Sequence, residues 1–144
     1  MAMIWSSWQA WALLAAIFAA LTAIFGKIGV AGVDSDYATF LRTLVVAFAL
    51  GLLVWLTGKA QSLGTLSSRT LIFLTLSGLA TGASWLCYFR ALQIGKASQV
   101  APVDKLSVVF VAIIAALFLG EHLSMQAWGG IGLIALGAVL VSLG

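Results

Sequence analysis

The chain has 144 residues, 63% of them apolar and only 8% charged, whereas an average soluble domain carries about a quarter charged residues. Water therefore cannot be its main solvent, and a formal charge of +3 from seven basic and four acidic residues is too small and scattered for a nucleic-acid footprint. The single Cys87, in an apolar stretch, excludes a disulfide framework, a paired-cysteine metal site and a dithiol redox motif.

Five apolar segments follow in order, roughly 9–31, 37–55, 70–94, 99–119 and 125–143. Each is close to the 20 or so residues that cross a hydrocarbon core about 30 Å thick. Strand alternation is missing, and backbone amides exposed to lipid cost several kcal/mol, so the segments read as helices. The expected fold is an all-α polytopic membrane protein, one transmembrane domain over 1–144. The stretch Met1 to Gly26 has no basic residue and runs apolar past the length of a leader, so it reads as the first crossing.

The connections are short. Gly32 to Asp36 offers acceptors that cap the second helix and complement its positive end. Lys59 to Ser68 is the longest polar stretch, and Gly95 to Ser98 is a tight turn. Pro102 falls early in the fourth segment, where a missing amide proton does least harm. Before the last helix, Ser124 is the expected N-cap, with Leu123 and Trp128 spaced as a hydrophobic staple.

With five crossings, Lys59 and Arg69 fall on one face, Lys27 and Lys96 on the other, so loop Lys and Arg divide two against two. Lys105 makes it two against three. The positive-inside rule then selects neither orientation, and insertion in both is expected.

Helical periodicity sorts the faces. In the third segment Thr70, Ser77, Thr81, Ser84 and Tyr88 form a polar seam. Gly78 and Gly82 run beside it, continued by Trp85 and Phe89. Gly130 and Gly137 in the fifth segment recur at a heptad spacing, and these four glycines read as packing positions, within the chain or between chains. The first helix presents Ala15, Ala19, Thr22, Gly26 and Gly29 on one face, read mainly as a packing surface.

Charges inside the spans are the sharpest signals, because a charged side chain at the bilayer centre costs at least ~2.5 kcal/mol. Arg42, Arg90, Asp104 and Lys105 qualify. Arg42 and Lys105 sit about six residues inside a helix start, ~9 Å deep. Arg90 is close enough to a helix end to snorkel. Lys105 shares a face with Ser98, Ala112 and Ala116, small neighbours that leave room around its ammonium. Asp104 points about 100° away, toward a cation such as Arg42 or Arg90 on another helix. Three cations against one anion favour an anionic or zwitterionic guest. Lys105, Tyr88, Trp85, Ser84, Thr81 and Arg42 are the expected substrate-binding residues, and Asp104 and Arg90 the coupling or charge-pair residues.

The run from Trp85 to Ser107, with Ala91-Leu92 and Pro102, followed by Gly120-Glu121 and the glycine-rich last helix, resembles the EamA family of the drug/metabolite transporter superfamily. The resemblance implies two five-helix repeats of opposite orientation around a cavity that opens alternately to each side, and export of amino acids and other metabolites. This chain spans one repeat. The more distantly similar small multidrug resistance proteins pair antiparallel copies, but exchange protons for cationic drugs on a first-helix glutamate, where this chain offers only Thr22. The expectation is a secondary transporter of an amino acid or organic anion in the cell inner membrane, working as an antiparallel homodimer, without cofactor or metal. The alternative is a non-transporting or hetero-oligomeric subunit that pairs with another half-transporter. No nucleophile–base pair or phosphate loop supports an enzyme or an ATP-driven pump, and His122 reads as a loop residue.

Overall fold

The computed structural model describes residues 7–144, and the described chain is built of helices and turns without strands. Helix α1 covers Trp8–Gly29 and α2 Ser35–Leu56; a single 3-10 turn at Leu63–Thr65 precedes α3, Ser68–Ile94. Then come α4, Ala97–Asp104, and α5, Ser107–Ile114, which widens into one π turn over Ala115–Leu119; α6, Met125–Leu143, completes the chain. Five spans are long and apolar enough to cross a bilayer, α4, α5 and the π turn together forming the fourth. The described chain is therefore an all-α polytopic membrane protein.

Local chemistry explains the boundaries. Asp34 Oδ1 accepts the amides of Asp36 at 3.0 Å and Tyr37 at 3.1 Å, fixing the start of α2. Ser124 Oγ accepts the Ala127 amide at 3.2 Å and starts α6 as its sequence position predicts. Gly120 ends the fourth span in the left-handed region, φ +67°, which a residue with a Cβ adopts only at a cost. The amides of Gly120 and Glu121 both return to the Ala115 carbonyl, closing the widened turn. Trp8 and Trp11 open α1, Trp55 closes α2 and Trp128 opens α6, all of them exposed, as in the aromatic belts of membrane interfaces.

The fourth span departs from a continuous helix. It breaks at Lys105 and Leu106, whose amides bond to the Pro102 and Val103 carbonyls at 3.1 and 3.0 Å, three residues back instead of four. Pro102 is not in the first turn as expected. The helix begins at Ala97, so Pro102 is its sixth residue, and the Ser98 carbonyl has no proline amide to accept.

The chain packs as two units. One comprises the chain up to Ile28 together with Ile94–Gly144. Its buried residues are Ala23, Gly26, Ala112, Ala115 and Ala138. Small side chains let helix backbones approach, which is how association gains van der Waals contact where lipid removes the hydrophobic drive. Within it α4 and α5 pack on α6, and Lys27 Nζ donates to the Gly95 carbonyl at 2.8 Å. The other unit is Gly29–Gln93, with Val30, Ser35, Thr39, Phe89 and Leu92 buried. Thr39 and Thr43 turn their hydroxyls back onto the carbonyls of Ser35 and Thr39, both at 2.8 Å, so neither leaves a donor unmet in lipid.

Only part of the expected first-helix face is used for packing: Gly26 is buried and Thr22 half-buried, while Ala15 and Ala19 are exposed. A Cβ added to Gly78, Gly82, Gly130 or Gly137 meets nothing within 4 Å. Among the described residues, none of these glycines is closely packed within its own unit.

Candidate functional site

In the unit of α2 and α3, the spacing Trp85, Tyr88, Phe89 stacks three rings along one side of α3. Trp85 meets Tyr88 edge-on, with centroids 6.1 Å apart at 73°, and Phe89 at 5.8 Å and 44°. Over this surface lies Arg42 of α2, its guanidinium carbon 3.0 Å from the Trp85 centroid and 5.6 Å from that of Phe89. Arg42 begins ~10 Å below the start of α2. The indole's negative face replaces part of the hydration that the cation loses there. Alone among the described tryptophans, Trp85 lies well inside a span, and it is the one beneath a cation.

The polar seam is only partly a set of open donors. Thr81 bonds back to the Ser77 carbonyl at 2.8 Å, and Thr70 shares a 2.8 Å bond with Ser67 at the head of α3. Ser77, Thr81 and Ser84 are exposed. Arg90 Nη1 donates to Gln93 Oε1 at 2.8 Å, and Gln93 Nε2 donates to the Val33 carbonyl at 2.9 Å. Gln93, a residue the sequence reading passed over, thus ties the end of α3 to the turn before α2. A polar side chain one turn beyond an intramembrane arginine was the available signal.

In the other unit, Lys105 Nζ lies 3.1 Å from Asp104 Oδ2, with side chains 54% and 37% exposed. Lys105 is thus the partner of Asp104 within its own unit, while Arg42 and Arg90 belong to the other unit. Neighbouring side chains leave a regular helix about 100° apart and a three-residue turn about 120° apart, so the pair forms because the long lysine stem reaches back to the neighbouring carboxylate. Ala112 does not share an open face with the exposed Lys105. That alanine is buried rather than lining open space, while Ala116 is half-buried.

Comparison with known proteins places these features. Residues 6–143 match the model of the EamA-like transporter family. A Sinorhizobium sp. protein named "Uncharacterized transporter in cobO 3'region" is 56% identical over 136 residues, 94% of this chain and 96% of the relative. No solved structure matches significantly. A helical membrane chain matched almost end to end by the family model, and related over nearly its full length to a protein named a transporter, belongs to the EamA-like transporter family.

Proposed function

We propose that this membrane transporter exports a small metabolite with a carboxylate or other anionic group across the cell inner membrane, by alternating access in an antiparallel homodimer. The observation that carries the reading is the exposed Asp104–Lys105 pair at the break in the fourth span. Intramembrane charge and interrupted helix are tolerated together where they face a wet cavity, and transporters place substrate and coupling ions at such breaks. Lys105 supplies a point charge for the substrate anion, and Asp104 is the partner that the anion displaces from the ammonium during the cycle.

Arg42, Trp85, Tyr88, Ser84 and Thr81 form the second set of substrate contacts, the guanidinium giving charge and the rings shape. The excess of cations over anions within the spans selects against a plain cation. Two further observations favour a dimer. The open glycines at Gly130 and Gly137 suit a close helix from a second copy, and balanced loop charge permits opposite insertion. The named relative is itself one repeat long.

The test is flux of labelled amino acids and organic acids in proteoliposomes, with ligand affinity and melting temperature measured on Lys105→Ala. Lost affinity and flux with unchanged melting supports the reading. Undiminished affinity with lowered stability makes Lys105 structural and refutes it.

A further inference from the structure

A cleft of about 490 Å³ is lined by Asp34, Ser35 and Asp36 at the head of α2 and by Leu86, Cys87 and Arg90 in the last turns of α3. Its volume lies in the range of small-molecule sites. The cleft carries opposite charges that do not meet: among the described residues no ion pair joins Arg90 to Asp34 or Asp36.

Local bonds engage part of each group. Arg90 is drawn to Gln93, which is anchored on the Val33 carbonyl. Asp34 Oδ1 is engaged by the amides of Asp36 and Tyr37, and Asp36 Oδ1 by the Ser35 hydroxyl at 3.3 Å. Each carboxylate keeps a second oxygen, and the guanidinium, with five N–H donors, spends one on Gln93. Opposite charges that line one cleft without an ion pair between them suit a guest bearing both signs.

We propose that this cleft binds a small zwitterionic group, its ammonium on Asp34 and Asp36 and its anionic oxygen on Arg90, with Leu86 and Cys87 against the carbon atoms between. Two sources carry that chemistry, the headgroup of phosphatidylethanolamine and a free α-amino acid. Ser84 and Tyr88 do not line the cleft: at about 100° per residue Leu86 and Arg90 lie about 120–160° from them around α3, and Cys87 sits at the cleft's edge, about 60° from Ser84. The cleft is therefore separate from the proposed transport contacts, and the inference stands without them.

Cys87 is the chain's single thiol and is exposed, so its alkylation by a water-soluble maleimide reads occupancy directly. The whole chain in detergent is labelled with dihexanoyl-phosphatidylethanolamine, dihexanoyl-phosphatidylglycerol, L-alanine or ethylammonium present. A ligand at ten times its Kd leaves about a tenth of the clefts open, so labelling slows about tenfold. Slowing by the phosphatidylethanolamine alone assigns a lipid headgroup, and slowing by alanine assigns a free amino acid; either supports the site. Equal slowing by ethylammonium or by the phosphatidylglycerol reduces the cleft to a one-charge site and overturns the proposal. So does slowing by none of them, or a thiol that does not label at all. Arg90→Gln is expected to abolish zwitterion protection at an unchanged melting temperature, and protection retained in that variant also overturns it. If Arg90→Gln does not fold, Asp36→Asn takes its place, and the native ligand panel decides independently of either.

Discussion

The contact between Arg42 and Trp85 makes different predictions for its two partners. Trp85→Leu removes the ring beneath a guanidinium 3.0 Å from its centroid and leaves the cation in the span. A desolvated cation–π contact is worth about 2 kcal/mol, and the stranded charge recovers only part of it by snorkelling. The variant is expected to lose about 2 kcal/mol or more. Arg42→Leu forfeits the same contact but also removes a charge from the span. At the bilayer centre that charge would cost at least ~2.5 kcal/mol, and ~10 Å below a helix start it costs part of that. Arg42→Leu is therefore expected to lose less stability than Trp85→Leu. The pair is expected to couple by about 2 kcal/mol in a double-mutant cycle. Reversible unfolding by SDS titration in mixed micelles, followed by circular dichroism, measures all four corners. A coupling below about 0.5 kcal/mol, the ordinary error of additivity, refutes the stacking argument. Equal losses in the two single variants refute the membrane-cost argument. Arg42→Leu, folded but short of a substrate contact, is also expected to lose flux in proteoliposomes.

Lys105→Ala removes one partner of an exposed pair, so its stability is expected to change by less than about 1 kcal/mol while anionic-ligand affinity falls; a titration calorimeter and a melting curve read the two effects. Gly137→Leu is expected to leave the monomer's stability nearly unchanged, because nothing lies within 4 Å of an added Cβ, yet to shift the population from dimer to monomer by light scattering. An unchanged dimer places the contact elsewhere. Single cysteines at Ser62 and at Ala31, in a Cys87→Ser background, are each expected to label from both sides of sealed vesicles, and one-sided labelling refutes dual insertion.

Much of the fold was legible in the sequence. The five spans appear within about two residues of the expected bounds at most ends, because length, hydropathy and caps such as Asp34 and Ser124 act locally and lipid permits only helices. That Arg42, Arg90, Asp104 and Lys105 fall within those spans was legible for the same reason. Their partners were not. The helical wheel assumed a continuous fourth span, and only the folded chain showed both the break at Lys105 and Leu106 and the pairing of Asp104 with its own neighbour.

The chain's membership of the membrane, its five crossings and its supply of cations were determined by the sequence itself, since each depends on residue chemistry and spacing along one helix. The tertiary structure decided that Arg42 stacks on Trp85, that Ala112 is spent on packing while Gly130 and Gly137 remain open, and that Gln93 links Arg90 to the Val33 carbonyl in the turn before α2. Those outcomes depend on which helices approach and at what rotation, which residue periodicity along a single segment does not encode.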